Sequence, residues 1–156
     1  MKIYFIRHGE AEIYADDDFK RKLTTVGKRK LEESFKAFAN NLKDKRSFKI
    51  YSSPLERAKE TAEILAKHLD SNFEVKEYLA GGRIKDILKT LDPDENYIFV
   101  SHEPFISNWI YQLTGDMKII SRGSINLVDL DLEEILNSLN WIEKFLEIWL
   151  IKKLKS

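Results

Sequence analysis

Segments with the hydrophobic pattern of β-strands alternate along the chain with segments that have the pattern of α-helices. Short runs of β-branched and aromatic residues predict strands at 3–6, 48–51, 97–100 and 125–132, with an alternating edge strand at 73–77. Between them, apolar residues recur at helical spacing, as Leu31, Phe35 and Phe38 do. Alternating strands and helices are typical of parallel β-α units. The pattern predicts an α/β fold, a three-layer α/β/α sandwich with a mostly parallel central sheet.

Local signals mark where the helices begin and end. Ser53 is the predicted N-cap of the second long helix, with Pro54 as its first residue and Glu56 completing a capping box. Pro104 is expected to open a later helix that ends at Gly115. Because the predicted strands 48–51 and 97–100 end just before these two helix starts, the residues between them lie at strand exits.

The last part of the chain is ambiguous. Residues 133–139 resemble a helix, whereas 145–151 are interpreted as a final strand, with more helix as the alternative. No repeat, low-complexity tract or linker divides the sequence. We therefore expect residues 1–156 to form one domain.

Composition narrows the classes of function. The 156 residues include 26 Lys and Arg against 26 Asp and Glu, a balance that favours neither nucleic acid nor a membrane as a partner. There is no cysteine, which excludes disulfides, thiolate metal sites and a cysteine nucleophile. No apolar stretch approaches the roughly 18 residues of a membrane-spanning helix, and the N-terminal run is too short for a signal peptide. We expect a cytoplasmic protein.

Polar side chains with catalytic potential follow two of the predicted strands. Arg7 and His8 come directly after the run 3–6, and His102 follows the run 97–100. The chain has three histidines, so two of them lie at strand exits. Ligands of open α/β sheets bind just beyond the carboxyl ends of the strands. Two histidines there, with an arginine beside one of them, predict a site for a phosphoryl group.

Arg57 strengthens this hypothesis. It falls near the start of the helix that Ser53 is predicted to cap, where a cation is unfavourable unless an anion compensates it. A helix N-terminus itself attracts anions, and a planar guanidinium suits phosphate oxygens. The alternative interpretation is a surface arginine paired with Glu56 or Glu60.

Each histidine also has a purely structural interpretation. His8 and His102 could be hydrogen-bonded residues at a sheet edge, and His68, late in a helix, fits an interaction with the helix dipole. A zinc site is a further alternative, with Glu10 or Glu103 as the third ligand. Because arginines beside the histidines would repel a divalent ion, the sequence favours an anionic group over a metal.

Three segments, in this order, resemble motifs of the histidine phosphatase superfamily, which includes the phosphoglycerate mutases and acid phosphatases. They are Arg-His-Gly-Glu at 7–10, Ser-Pro-Leu-Glu-Arg-Ala-Lys-Glu-Thr-Ala at 53–62 and Ser-His at 101–102. Residues 23–27 are also similar to its Leu-Thr-x-x-Gly segment. The short chain and Ser-His-Glu-Pro at 101–104 look most like the SixA-type phosphohistidine phosphatases. The resemblance spans residues 1 to about 130 and implies a phosphoglycerate mutase-like fold.

The resemblance also implies roles for the candidate residues. His8 would be the nucleophile that becomes phosphohistidine. Arg7, Arg57 and His102 would hold the phosphoryl oxygens and stabilise their charge, and water would release phosphate without a metal or organic cofactor. A nucleophilic histidine also needs its other ring nitrogen fixed by an acceptor, often a backbone carbonyl, which the sequence does not name.

Glu77 is the candidate general acid that the resemblance implies. Family members that cleave alkyl phosphates use a glutamate after the third strand, and residues 77–82 resemble the glycine-containing segment that carries it. An exposed edge-strand glutamate is the alternative interpretation, and Glu10 is a second candidate. Tyr14 stands where the mutase-type motif has asparagine, which argues against mutase activity.

Chain length bears on the substrate. Residues 58–101, 44 in number, separate Arg57 from His102, too few for the long insertions that form lids in the mutases and acid phosphatases. We therefore expect a shallow, open site that admits a phosphorylated side chain on a folded protein. The predicted function is hydrolysis of phosphohistidine in proteins. The alternatives are a broad-specificity phosphatase for small phosphorylated metabolites and a phospholigand-binding module without turnover.

Overall fold

The computed structural model describes residues 1–45 and 47–131. In chain order its elements are β1 (Lys2–Arg7), α1 (Thr25–Asn41), β2 (Phe48–Ser52), α2 (Glu56–His68), β3 (Phe73–Val75), α3 (Ile84–Thr90), β4 (Asn96–Ser101), α4 (Phe105–Thr114) and β5 (Ile125–Asp129). Short 3₁₀ helices, Asp18–Lys20 and Glu77–Ala80, follow β1 and β3. The helix predicted at 133–139 and the strand predicted at 145–151 lie outside the described residues.

The strands form one sheet in the order β3-β2-β4-β1-β5. All neighbours are parallel except β5, which runs antiparallel to β1. The predicted mostly parallel sheet is therefore confirmed, with β3 at its edge. The prediction that this edge strand reaches Glu77 is wrong, because the last bond to β2 is the one from Lys76 N to Ser52 O, and the chain then turns into a 3₁₀ helix.

Alternate residues of the central strands face two separate apolar layers. Ile3 and Phe5 of β1 pack with Trp109 and the rest of the layer formed by α3 and α4. Ile6 of the same strand packs against α1 and α2 on the other face. The predicted three-layer α/β/α sandwich is confirmed.

Helix α1 begins at its predicted capping residue, whereas α2 does not. Thr24 caps α1, with its hydroxyl accepting a hydrogen bond from a backbone N–H of the first turn. By contrast, α2 begins at Glu56 with Leu55 as its N-cap and no side-chain cap, so the predicted capping box at Ser53 is wrong. Ser53 continues the strand pairing instead, because its backbone N–H donates to the Val100 carbonyl at 2.9 Å, and its hydroxyl bonds His102.

The strands β1 and β4 lead into helices on opposite faces of the sheet. α1 follows β1 on one face, and α4, which begins just after Pro104 as predicted, follows β4 on the other. Such a switch point opens a crevice at the carboxyl ends of the two strands, where doubly wound sheets bind ligands. Because Arg7 pairs with Ser101, the next residues along each strand, His8 and His102, meet there.

Candidate active site

His8 lies at the exit of β1 and is 7% exposed. Its Nδ1 is 2.7 Å from the carbonyl oxygen of Gly9. A carbonyl only accepts, so this contact puts the imidazole hydrogen on Nδ1 and leaves the lone pair on Nε2. Arg57 Nε donates to that Nε2 at 3.3 Å. Burial, helped by the charges of Arg57 and Arg7 and opposed by the bond to Gly9, lowers the pKa of His8 to about 4. His8 is thus a neutral imidazole at pH 7.

Arg57 is the second residue of α2 and is 6% exposed. Its Nη1 donates to the backbone oxygen of Asp18 at 2.8 Å, and its Nη2 donates to the Asp18 carboxylate at 3.2 Å. Glu56 and Glu60 form ion pairs with lysines instead. The interpretation of Arg57 as a surface arginine paired with either glutamate is therefore wrong.

Asp18 comes from the loop between β1 and α1, which sequence reasoning left without a role. Its other carboxylate oxygen is 3.0 Å from Arg21 Nε. Although partial burial acts to raise the pKa of this carboxyl, the hydrogen bond and charge of Arg57, with Arg21, bring it below its ordinary value. The acidic run at 16–18, set against the basic run at 20–22, is the signal that could have drawn attention to this loop.

The expectation of a shallow, open site is wrong where Arg57 lies. The segment between Arg57 and His102 holds α2, β3, a 3₁₀ helix and α3 without a long insertion, as expected. The cover comes from the loop after β1, because Asp18 lies over the Arg57 guanidinium. His8, Arg57 and His102 are each at most 7% exposed.

His102 lies at the exit of β4, with its ring centroid 5.1 Å from that of His8. Its Nε2 is 2.6 Å from Ser53 Oγ, whereas its buried Nδ1 has no hydrogen-bond partner in the described part of the chain. Burial, then the proximity of His8 and Arg57, lowers the pKa of His102 to about 3. Both histidines follow interior strands, and each makes a hydrogen bond at the carboxyl ends of those strands.

Arg7 is oriented by the segment that precedes β5. Its Nη1 donates to the Ile120 carbonyl at 2.8 Å, and the backbone N–H of Gly123 is 3.0 Å from the carbonyl oxygens of both Arg7 and His8. Gly123 has a φ of 72°, in the left-handed region that favours glycine. The buried Arg7 Nε lacks a partner among the described residues, and the charge of Arg7 is one cause of the lowered pKa of both histidines.

The two candidate acids have different surroundings. Glu77 is exposed at the start of its 3₁₀ helix, which Ser101 Oγ ties to β4 by donating to the Leu79 carbonyl at 2.6 Å. The Glu10 carboxylate accepts from Thr24 Oγ1 at 2.9 Å. Within residues 1–45 and 47–131, neither carboxylate is hydrogen-bonded to His8.

The structural roles of other candidates are clear from their partners. His68, the last residue of α2, pairs with Glu32 of α1 at 2.5 Å, which supports a structural role. Both Glu103 carboxylate oxygens accept hydrogen bonds from Ser107 in α4. No group of three or more His, Asp or Glu residues in the described ranges could hold a metal ion. No helix formed by those residues is long and apolar enough to cross a membrane.

Comparison with known proteins places this geometry in a family. The model of the histidine phosphatase superfamily (branch 1) matches residues 3–83, more than half of the chain, a range that holds Arg7, His8 and Arg57. The chain therefore belongs to the histidine phosphatase superfamily. Within that family it is SixA-like, as its relatives and their structures indicate.

Two relatives and two solved structures illustrate the likeness. An uncharacterised protein of Picosynechococcus sp. is 38% identical over 120 residues, 70% of each chain. A phosphohistidine phosphatase SixA homolog of Haemophilus influenzae is 29% identical, covering 78% of this chain and 82% of that one. The protein histidine phosphatase SixA complexed with tungstate superposes with a TM-score of 0.74 at 25% identity, over 84% of this chain and 89% of that one. A phosphoglycerate mutase of Plasmodium falciparum shares the fold, with a TM-score of 0.57 at 22% identity over 83% and 89% of the two chains.

Proposed function

We propose that this histidine phosphatase hydrolyses phosphohistidine in proteins through a phosphohistidine intermediate on His8, without a metal ion or organic cofactor. The observation that carries the proposal is the pair of contacts on the His8 ring. Gly9 O fixes the hydrogen on Nδ1, and Arg57 lies against the Nε2 lone pair. A neutral imidazole with an assigned tautomer is what nucleophilic attack requires. The likeness to SixA proteins supports the same function.

The first step transfers the phosphoryl group to His8. Arg57 Nε–H first releases the Nε2 lone pair and turns to the phosphoryl group. The lone pair then attacks phosphorus, the phosphorus–nitrogen bond of the substrate breaks, and the departing imidazole takes up a proton from water. His8 gains positive charge as the new bond forms, and the Gly9 carbonyl stabilises it through Nδ1–H. Arg7, Arg57 and His102 bind the three oxygens whose charge changes during transfer. When substrate binds, a phosphoryl oxygen takes the place of the Asp18 carboxylate at the Arg57 guanidinium.

The second step releases phosphate. Water attacks the phosphorus of phospho-His8, the phosphorus–Nε2 bond breaks, and inorganic phosphate leaves with the added oxygen. His8 then returns to the neutral Nδ1–H tautomer because Gly9 O is still its acceptor. The same three cationic or donor side chains serve both steps, since both steps change the charge on the same phosphoryl oxygens.

The choice of phosphohistidine rests on the leaving group. The phosphorus–nitrogen bond of phosphohistidine is activated, and imidazole needs less protonation to depart than an alkoxide does. The exposed position of Glu77 and the Thr24 contact of Glu10 agree with a reaction that depends little on a strong acid.

A substrate comparison in excess chelator tests the proposal. Rates would be measured on a phosphohistidine-bearing protein, on sugar phosphates and on an aryl phosphate, with His8→Ala as the control. We expect the largest kcat/KM for the phosphohistidine protein and no effect of chelator. A preference for sugar phosphates would identify a metabolite phosphatase, and tungstate binding without any turnover would identify a binding module. Loss of activity in chelator that zinc or manganese restores would contradict the cofactor-free mechanism.

A further inference from the structure

The Ser53 hydroxyl is buried directly against His102. Ser53 is 0% exposed, and its Oγ lies 2.6 Å from His102 Nε2. Its backbone N–H donates to the Val100 carbonyl at 2.9 Å, which extends the β2–β4 pairing by one residue. The sheet therefore fixes Ser53 beside the histidine that leaves the neighbouring strand.

The hydrogen atoms of this pair can be assigned by counting donors and acceptors. Ser53 Oγ already accepts from Leu55 N at 3.3 Å. If the His102 hydrogen were on Nε2, the Ser53 hydroxyl hydrogen and the Nδ1 lone pair would both lack a partner among the described residues. If it is on Nδ1, the hydroxyl donates to Nε2 and a single group, Nδ1–H, is left over. Buried polar groups are normally paired, so the second arrangement is favoured.

We propose that Ser53 is a positioning residue that holds His102 in its Nδ1–H tautomer, so that Nδ1–H is the atom that donates to a phosphoryl oxygen. The inference rests on the proposed function for the identity of that anion. It also accounts for two of the three buried side-chain nitrogens that lack a hydrogen-bond partner among the described residues, Arg7 Nε and His102 Nδ1, because both are donors in the crevice where the anion would bind.

The tautomer matters because His102 carries one ring hydrogen at neutral pH. Burial holds its pKa near 3, so the ring does not donate from both nitrogens. With the hydrogen on Nε2, a lone pair at Nδ1 would face the phosphoryl oxygens and repel them. A hydroxyl that donates to Nε2 removes this state.

Nitrogen NMR of the three histidine side chains tests the assignment directly. In the unmutated protein we expect the His102 spectrum of an Nδ1–H ring. Ser53→Ala should shift the ring towards Nε2–H, weaken tungstate binding and lower kcat by roughly tenfold, less than loss of a donor itself costs. Ser53→Thr should restore the tautomer. Ser52→Ala is the matched control, because Ser52 is equally buried but its hydroxyl donates to the Ser53 carbonyl.

An Nε2–H ring at His102 in the unmutated protein would overturn the inference. So would a folded Ser53→Ala protein with unchanged tautomer and tungstate affinity. The unmutated spectrum decides the matter even if Ser53→Ala does not fold. Failure of the proposed function would look different, because the protein would then show the Nδ1–H ring and bind tungstate without hydrolysing phosphohistidine.

Discussion

Both terminal nitrogens of the Arg57 guanidinium donate to Asp18, Nη1 to its backbone oxygen at 2.8 Å and Nη2 to its carboxylate at 3.2 Å. A nearly buried cation beside a helix N-terminus needs an anion, since the helix end is itself positive. Asp18 supplies that anion, and its carboxylate bonds Nη2 as a phosphoryl oxygen would. We therefore expect that loss of the Arg57 side chain weakens phosphate binding and that loss of the Asp18 charge strengthens it.

Replacement of Arg57 should reduce catalysis far more than stability. Arg57→Ala removes a preorganised donor to the transferred group, and we expect kcat/KM to fall by roughly 10²–10³. Lys59→Ala is the control, because Lys59 is a cation on the same helix whose partner is the surface residue Glu56. Steady-state kinetics and thermal unfolding of both variants provide the measurement. Near-normal turnover in a folded Arg57→Ala protein would place the site elsewhere.

Replacement of Asp18 should tighten phosphate binding. Asp18→Asn removes a negative charge that competes with the phosphoryl group for Arg57, while the backbone contact to Nη1 can persist. The Asp18 side chain is 63% exposed, so we expect an increase in affinity of roughly two- to fivefold, as for a solvent-screened pair. Calorimetric titration with tungstate measures it. Weaker binding would show that the carboxylate orients Arg57 rather than competing for it.

The low pKa of His8 has a measurable consequence below neutral pH. Burial is its main cause, and the value near 4 lies below the ordinary 6.5. Between these two pH values the unfolded chain takes up a proton that the folded protein does not, so folding stability falls as pH drops through this window. The fall should be smaller in His8→Gln, as followed by denaturant unfolding. An NMR titration of His8 in the free protein with a midpoint near 6.5 would contradict the assignment.

The role of Glu77 can be separated by leaving group. If Glu77 is the general acid, Glu77→Gln should slow cleavage of an alkyl phosphate by roughly 10²–10⁴ and affect an aryl phosphate or phosphohistidine much less. Glu10→Gln is the parallel variant for the second candidate. An equal loss on both kinds of substrate would mean that Glu77 acts in positioning. No loss on either would favour a phosphoramidate-specific enzyme without a carboxylic acid.

The meeting of His8 and His102 could be predicted because it depends on short-range features. Each follows a strongly apolar run, and parallel strands end at the same edge of a sheet. The strand order then makes β1 and β4 neighbours, and their rings lie 5.1 Å apart. Motif spacing also indicated that Arg57 belongs to this site, and its Nε lies 3.3 Å from His8 Nε2, although its role stays a prediction.

The contacts of Asp18 and Ser53 could not be predicted in this way. Asp18 reaches Arg57 across 39 residues from a loop with no hydrophobic period, and only the tertiary structure brings the two together. Ser53 carried a strong capping signal, but its backbone N–H continues the pairing with β4 and its hydroxyl bonds His102. Local preference lost to a long-range hydrogen bond, as often happens at functional sites.

The central claim is that His8 becomes phosphorylated, and trapping of the intermediate tests it most directly. The protein would be mixed briefly with a phosphate donor, quenched in alkali, and the phosphate located by peptide mass spectrometry. We predict acid-labile phosphate on His8 in the unmutated protein, and neither label nor turnover in His8→Ala. Turnover without a label on His8, or turnover that persists in His8→Ala, would contradict the account.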